Sequence, residues 1–529
     1  MKPADAFSPV EPSTEQAQQF RSQVGHISRQ SGVFFGGTLF TVAFSYVFKV
    51  YIARTLGAEA LGVYALGMTV VGLAGIFGGL GLTWSASRFP AVYQSTGQME
   101  ELRSFLVWSV LILSGVNGLF AVFVVLARYW IADRIYHTPQ LASYLYLFAL
   151  IMFLGALSTF FGQLLTGYKQ VAKRTLITNV TGVVLNMSLA VILITRGTGL
   201  WGYIVAQVAS AAVVLILLVW TAHRLTPSAA RFSLKPVTGP PRQMFSFASA
   251  AFAMDIMGFL YTQTDKVIIG VYLNARSVGI YAVAATIVAF VSIALQSVNQ
   301  IFSATIADLH ARGEMELLNR LFQNLTKWVV GLTFPLAVVV ILFARSLMRI
   351  FGSDFEGGWV ILVIGAVGQL VNCAVGSVGF LLLMSGNERK LVRIQLVVGM
   401  ITVACCLLLV PKWGVTGAAI AAAVGNAGSN LWCLFEVKKA LGLFPYNRGY
   451  WSLALPAATV LLSGLVLRIV LRTLRPDVVV VALSMLAVYA VFLVTVLAHG
   501  LEADDRLIAN AIWARVRNSW PTFRPASHE

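Results

Sequence analysis

The chain has 529 residues, of which 58% are hydrophobic and only 11% are charged, and its mean hydropathy is +0.80. Soluble domains carry roughly 25% charged residues, so this composition excludes an ordinary soluble domain. The net charge of +17 could suggest nucleic acid, but no basic stripe with interleaved aromatic residues accompanies it. No nucleic-acid partner is therefore expected.

Long apolar segments recur along the whole chain. A segment of about 18 or more apolar residues is typical of a membrane-spanning helix. Such segments fall at 31–54, 61–84, 104–127, 141–166, 175–195, 199–222, 244–272, 277–301, 328–346, 358–384, 394–411, 413–435, 450–470 and 476–500. The predicted fold class is an all-α polytopic membrane protein with about fourteen transmembrane helices.

Positive charge indicates the topology. Most of the 38 Lys and Arg residues lie outside the spans, on the side of the membrane that holds both termini, and cytoplasmic loops collect positive charge. Residues 1–30 are polar and contain no cleavable signal peptide. We expect a multi-pass protein of the cytoplasmic (inner) membrane with both termini in the cytoplasm.

Residues 49–71 and 266–288 form an internal repeat with ten identities in 23 positions and no gap, among them Lys49/Lys266. The loop GQMEELRSFL at 97–106 matches GEMELLNRLF at 313–322 at nearly the same offset. The offset covers six predicted spans, and an even number preserves orientation, so the repeat is parallel.

The repeat predicts two six-helix lobes and an appendage. Their predicted order is a cytoplasmic tail (1–30), an N-lobe with helices 1–6 (31–222), a cytoplasmic linker (223–243), a C-lobe with helices 7–12 (244–435), helices 13–14 (436–500) and a cytoplasmic amphipathic tail (501–529). Such lobes hold substrate where they meet and alternate its access by rocking. A duplicated scaffold without transport is the alternative.

Two equivalent helices each carry a polar stripe. An α-helix turns by about 100° per residue, and at this rotation the residues of each stripe lie on one face of their helix. The stripe of the seventh span contains Asp255, Thr262 and Lys266, and that of the first contains Thr38, Ser45 and Lys49. Such a stripe is expected to line a water-filled cavity, because lipid would leave it unsatisfied. For the lysines, snorkelling to the interface is the alternative.

Two carboxylates lie in the seventh span. Asp255 lies about 16 Å below Lys266 along the helix, near mid-membrane, where a charge is costly. A buried, hydrogen-bonded structural role is its alternative. Asp265 points about 100° away from Lys266 and is expected to find a partner on another helix. Both are candidates for binding a coupling ion, H⁺ or Na⁺, although downhill flow without coupling stays open.

Motifs for chemistry are missing from the sequence. There is no Gly-x-x-x-x-Gly-Lys-Ser/Thr phosphate loop and no His/Cys/Asp metal cluster. The four cysteines match neither a disulfide framework nor a zinc site and are expected to pack in the spans. We expect no catalytic residue, no metal site, no cofactor and no enzymatic activity.

Several segments together resemble a known family. They are the Gly62-x-Tyr64 turn, GGLGLTWSASRFP at 78–90, the acidic-basic end of the seventh span before VGIYAVAATI, and FGSDFEGGWVILVIGAVGQL at 351–370. The chain resembles the polysaccharide-transporter branch of the multidrug/oligosaccharidyl-lipid/polysaccharide (MOP) exporter superfamily over roughly residues 25–500. The resemblance implies a V-shaped pair of lobes around a central cavity. It also implies transport of an undecaprenyl-diphosphate-linked glycan to the outer leaflet.

The resemblance also suggests roles for individual residues. Lys49 and Lys266 could compensate the charge of a diphosphate. Arg88 could add an inner contact or simply anchor its helix. Expected partners are the lipid-linked glycan, membrane lipid and polysaccharide polymerase or glycosyltransferase machinery. Two other functions stay open: a cation-coupled multidrug exporter, and a non-transporting scaffold of a glycan assembly complex.

Overall fold

The computed structural model describes residues 14–230, 263–471 and 478–499, with residues 239, 248–249, 252, 255–256 and 258–260 between the first two ranges. Within these ranges side chains are described from residue 40 onward, except at residues 43, 300, 301, 304, 448, 478 and 499. The longer helices are Thr14–Gly79, Leu82–Ser95, Met99–Leu126, Leu145–Gly167, Gly182–Thr195, Gly199–Leu225, Ala275–Val291, Ile293–Arg312, Met315–Leu342, Trp359–Val375, Glu388–Leu441, Ala454–Val470 and Val478–His499. The shorter helical segments are Arg128–Trp130, Ile131–Ile135, Pro139–Ser143, Val171–Thr175, Leu176–Thr181, Ser228–Ala230, Thr264–Tyr272, Ala344–Ile350, Ser353–Gly358, Val378–Met384 and Arg448–Leu453.

Ten helices among the described residues are long and apolar enough to cross a membrane, or eleven if the bent pair Ala275–Val291 and Ile293–Asn299 (54°) is one span. Two of them, Phe40–Gly79 and Glu388–Leu441, contain a non-helical glycine and are each long enough for two spans. Counted in this way, the described residues agree with the fourteen predicted spans, except that span 244–272 is described only in part.

The chain reverses direction at Gly414, which interrupts helix Glu388–Leu441 (φ 57°, ψ −140°). A Cβ atom at Gly425 would lie 3.2 Å from the Thr402 Cβ, and one at Gly417 would lie 2.6 Å from the Leu409 carbonyl carbon. In a straight helix Thr402 and Gly425 would be about 35 Å apart. The two halves therefore form an antiparallel helical hairpin, and glycine permits the backbone angles of the turn.

The chain divides into two compact units. The first contains residues 1–56 and 67–259, and the second contains residues 57–66 and 260–529. Phe105 lies in the core of the first unit, with its ring centroid 5.7 Å from that of Phe89 and 6.3 Å from that of Phe160. In the second unit, the last two helices pack against helix Met315–Leu342.

The core between these last helices and Met315–Leu342 consists of Val338, Val339, Phe343, Val460, Val481 and Val488. Another core of the second unit surrounds Phe302 and Phe322.

Repeat-related residues pack against each other inside the second unit. A Cβ atom at Gly62 would lie 3.0 Å from the Ala275 Cα, and one at Gly279 would lie 2.9 Å from the Gly62 nitrogen and 3.1 Å from the Ala58 carbonyl carbon. Ala58 and Gly62 are the repeat mates of Ala275 and Gly279. Small residues four apart allow two helices to approach closely. The reciprocal contacts give this crossing a local two-fold symmetry.

Candidate functional site

Asp265 lies in the first turn of helix Thr264–Tyr272, in the second unit. Its Oδ1 accepts a hydrogen bond of 2.7 Å from the backbone N–H of Lys266. A carboxylate is stabilised at this position because the helix N-terminus carries unpaired N–H groups and the positive end of the helix dipole. The start of this helix therefore holds a negative charge inside a predicted span.

Tyr281 is the partner of Asp265 on another helix. Its hydroxyl, on helix Ala275–Val291, donates a hydrogen bond of 2.7 Å to Asp265 Oδ2. Tyr281 is 3% exposed, whereas Asp265 is half-buried. A hydrogen bond to a carboxylate is stronger than one between neutral groups, and it fixes the direction of the carboxylate. Asp265 therefore has the partner on another helix that its position in the sequence led us to expect.

The Asp265–Tyr281 pair lines a cavity of about 230 Å³. Its other walls are mostly small or apolar residues, with polar side chains at Thr264, Gln369, Thr402 and Asn426. One carboxylate surrounded by neutral oxygen-bearing groups matches the charge of a monovalent hard cation or a proton, since such cations prefer oxygen ligands. The volume suffices for an ion with several waters but falls below the roughly 300 to 1,000 Å³ of drug-sized sites.

No group of three or more His, Cys, Asp or Glu residues that could hold a metal ion occurs in the described part of the chain. Among the residues that line the cavity around Asp265, called the acidic cavity below, Asp265 is the one that carries a carboxylate.

The repeat mate of Asp265 is Phe48, whereas the mate of Tyr281 is Tyr64. The first half thus has the tyrosine of this pair without its carboxylate. The acidic cavity belongs to the second unit.

The two symmetry-related lysines belong to different compact units. Lys266 is half-buried, and its Nζ donates a hydrogen bond of 2.9 Å to Gln263 Oε1. Lys49 is exposed on helix Thr14–Gly79 and also has interactions within the structure. Ser45, one turn before Lys49, is half-buried. The side chain of Thr38 and the whole of Thr262 lie outside the described residues.

The polar stripe predicted for the seventh span does not follow one continuous helix, because the helix that carries Lys266 begins at Thr264. Gln263 precedes helix Thr264–Tyr272 with non-helical angles (φ −129°, ψ −16°), so a new helix begins there. The physical reason is the polar sequence Gln263-Thr264-Asp265, in which Asp265 accepts from a first-turn N–H and stabilises a fresh N-terminus. Directions calculated along one helix therefore do not relate Asp255 to Lys266.

Asp255 instead contacts a residue that the sequence did not single out. Trp84, in helix Leu82–Ser95, donates a hydrogen bond of 3.1 Å from Nε1 to Asp255 Oδ1, within the first unit. Arg88 follows one turn later; it is exposed, and its guanidinium lies 6.0 Å from the centroid of the Phe89 ring. The exposed face of this helix thus combines an indole, a carboxylate from another segment and a guanidinium.

A break in the second span positions Trp84. Leu80 and Gly81 both have positive φ (46° and 68°), which ends one helix and starts the next. A Cβ atom at Gly81 would lie 2.9 Å from the Ala248 carbonyl carbon and 2.8 Å from the Phe252 nitrogen. Glycine therefore allows the segment carrying Asp255 to lie directly against the break. In the sequence, the glycine-rich stretch Gly-Gly-Leu-Gly at 78–81 is the feature that could have indicated this break.

Comparison with known proteins gives one family and one distant relative. Residues 51–357 match the family described as polysaccharide biosynthesis protein. A curated protein from Haloferax volcanii, named as a probable low-salt glycan biosynthesis flippase, Agl15, is 22% identical over 214 residues. That match covers 40% of this chain and 44% of the relative, so the chain spans less than half of the relative's length.

Solved structures show the fold. The lipid II flippase MurJ in an inward closed conformation is similar with a TM-score of 0.69 and 15% identity, over 87% of this chain and 97% of that one. An inward-facing multidrug resistance MATE transporter of the MOP superfamily gives a TM-score of 0.57 and 15% identity, over 77% and 94%. A MOP superfamily transporter from Pyrococcus furiosus gives 0.53 and 15%, over 79% and 95%. The sequence-based resemblance is confirmed, and the chain is a multi-pass membrane protein with the MurJ/MATE transporter fold.

Proposed function

This chain belongs to the polysaccharide biosynthesis protein family, and we propose that it is a flippase for a polyprenyl-diphosphate-linked oligosaccharide. It carries the repeat unit of a surface polysaccharide across the cytoplasmic membrane by alternating access, without catalysing a reaction. The observation that carries this proposal is the family match over 51–357, together with a transporter fold matched over 87% of the chain. Both termini are assigned to the cytoplasm, as the distribution of Lys and Arg predicts.

The diphosphate of the substrate is assigned to cationic side chains. Lys49, Lys266 and Arg88 are each exposed or half-buried, so their charged heads can be reached. A diphosphate loses part of its water on entering a membrane protein, and guanidinium and ammonium groups replace that hydration. The lysines occupy equivalent positions of the repeat, which supports a shared role for them in the two halves.

Ion coupling is assigned to the acidic cavity around Asp265. Without an ATP-binding motif, directed transport needs another energy source, and a carboxylate in a spanning segment is the usual place for a coupling ion. Asp265 is favoured over Asp255 because it lies in a cavity with other oxygen-bearing side chains, whereas Asp255 accepts a hydrogen bond from Trp84. The coupling ion is Na⁺ or H⁺.

Deletion of the gene in its host tests this function. We expect loss of a surface polysaccharide and accumulation of its lipid-linked precursor in the inner leaflet. Selective drug sensitivity with normal polysaccharide would identify a multidrug exporter instead. Loss of polysaccharide without accumulated precursor would identify a scaffold of the assembly machinery.

A further inference from the structure

The indole of Trp84 is exposed and yet held in place. The side chain is 50% exposed, while its only polar atom, Nε1, already donates to Asp255 Oδ1 at 3.1 Å. A hydrogen bond in the ring plane fixes the indole edge and leaves the flat apolar faces as the accessible surface. Such a surface binds a partner by stacking.

Trp84 differs from a tryptophan that anchors a helix in the membrane interface. Interfacial tryptophans place an apolar ring among lipids and direct the N–H to water or headgroups. Here the N–H is directed to a carboxylate, and a carboxylate facing hydrocarbon would be strongly destabilised. The exposed face of helix Leu82–Ser95 that carries Trp84 and Arg88 is therefore a polar, wet surface.

Arg88 lies one turn after Trp84 on the same helix face. Residues four apart on a helix are neighbours, separated by about 6 Å along its axis. A glycosyl diphosphate carries a sugar ring directly beside a charged phosphate. The Trp84–Arg88 pair presents an aromatic plane beside a cation in the same order.

We propose that Trp84 is the stacking platform for the sugar attached to the diphosphate, oriented by Asp255, with Arg88 beside it for the phosphate. The axial C–H groups of a pyranose are polarised positive and pack on the negative face of an indole. This inference rests on the proposed function and adds the residue that distinguishes a glycosylated carrier from a bare one. Trp84 is thus a specificity residue.

Binding measurements with two probes test this proposal. The full-length protein in nanodiscs is titrated with undecaprenyl diphosphate and with the same carrier bearing one N-acetylglucosamine. We expect the wild type to bind the glycosylated probe more tightly, and Trp84→Leu to reduce that preference by about tenfold, or ~1.4 kcal/mol. Binding of the bare carrier stays close to wild type. Trp84→Tyr keeps an aromatic face and retains part of the preference.

Trp201 provides a matched control in the same unit. It is 45% exposed, and its Nε1 donates to the Tyr146 hydroxyl at 3.2 Å, so Trp201→Leu removes a comparable exposed indole and should leave the preference unchanged. A Trp84→Leu protein that elutes as wild type and keeps the full preference would overturn the platform while leaving the flippase assignment intact. A wild type that binds neither probe would overturn both.

Discussion

At the scale of single residues, the proposed ion site depends on a difference between the two halves of the repeat: Asp265 in the second half corresponds to Phe48 in the first. The two halves share the lysine and the tyrosine of this region, Lys49/Lys266 and Tyr64/Tyr281, yet only the second half has a carboxylate there. A residue present in one half suits a ligand bound by that half alone.

Asp265→Asn should remove ion coupling without unfolding the protein. The single amide oxygen can keep one of the carboxylate's two hydrogen bonds, from the Tyr281 hydroxyl or from the Lys266 N–H, each 2.7 Å in the wild type, but the negative charge that attracts a cation is gone. Transport into proteoliposomes should lose its acceleration by an imposed Na⁺ or H⁺ gradient. Asp308→Asn is the control, because Asp308 lies in an exposed ion pair with Arg312 and the acidic cavity is untouched. An Asp265→Asn variant with the wild-type gradient response would remove Asp265 from the coupling site.

Lys49→Ala and Lys266→Ala should each reduce transport by about tenfold, the scale of a lost hydrogen bond to a charged group. The measurement is restoration of surface polysaccharide in a deletion strain, normalised to the amount of protein in the membrane. Lys390→Ala is the control, since the Lys390 ammonium lies 3.8 Å from Glu436 in a long, partly exposed ion pair that contributes little. Full restoration by both single variants and by the double variant would show that the lysines only snorkel.

The candidate site was predictable where a residue's own chemistry or its repeat mate made it stand out. Lys49 and Lys266 were found from the repeat, and Asp265 from its charge inside an apolar segment. Trp84 was missed because aromatic residues are common in spanning helices, and its distinguishing feature is a contact with Asp255, which is 171 positions away in the sequence. Composition and helical periodicity hold no information about such a contact.

At the scale of helices, the apolar pattern located the spans but not the irregular points within them. The hairpin at Gly414 falls where the sequence predicted the end of one span and the start of the next. The break at Leu80–Gly81 and the new helix after Gln263 were not predicted, because hydropathy is averaged over windows longer than a turn. These two breaks position Trp84 and Asp265, so the residues with proposed roles lie where the regular pattern fails.

Gly279→Ala should destabilise the second unit by about 1–3 kcal/mol, the cost of overpacking a close contact. A Cβ there would lie 2.9 Å from the Gly62 nitrogen and 3.1 Å from the Ala58 carbonyl carbon, and backbone atoms cannot move aside as a flexible side chain can. Thermal unfolding in detergent measures the effect.

Gly428→Ala is the matched control for this substitution. Apart from its chain neighbours and its own helix backbone, no heavy atom of the described residues lies within 4 Å of a Cβ at that helical glycine, and alanine favours a helix over glycine. Equal melting temperatures for the wild type and the Gly279→Ala variant would show that the crossing is not tightly packed.

At the scale of the whole molecule, the predicted even number of spans links topology to the repeat. A parallel repeat of six predicted spans, followed by two further predicted spans, requires both termini on one side of the membrane. Fusions of a cytoplasmically active and a periplasmically active reporter to each terminus should report the cytoplasm for both, because Lys and Arg accumulate on that side. Termini on opposite sides would contradict the fourteen-span topology and the parallel repeat together.

Reconstituted transport tests the central claim, that this chain moves a polyprenyl-diphosphate-linked glycan across the membrane. The purified protein is placed in liposomes containing undecaprenyl diphosphate that carries a fluorescent oligosaccharide, and a membrane-impermeant quencher reports its transfer between leaflets. We predict protein-dependent transfer that an imposed Na⁺ or H⁺ gradient accelerates in the wild type and leaves unchanged in the Asp265→Asn variant. Transfer at the rate of protein-free liposomes, with either gradient present, would contradict the account.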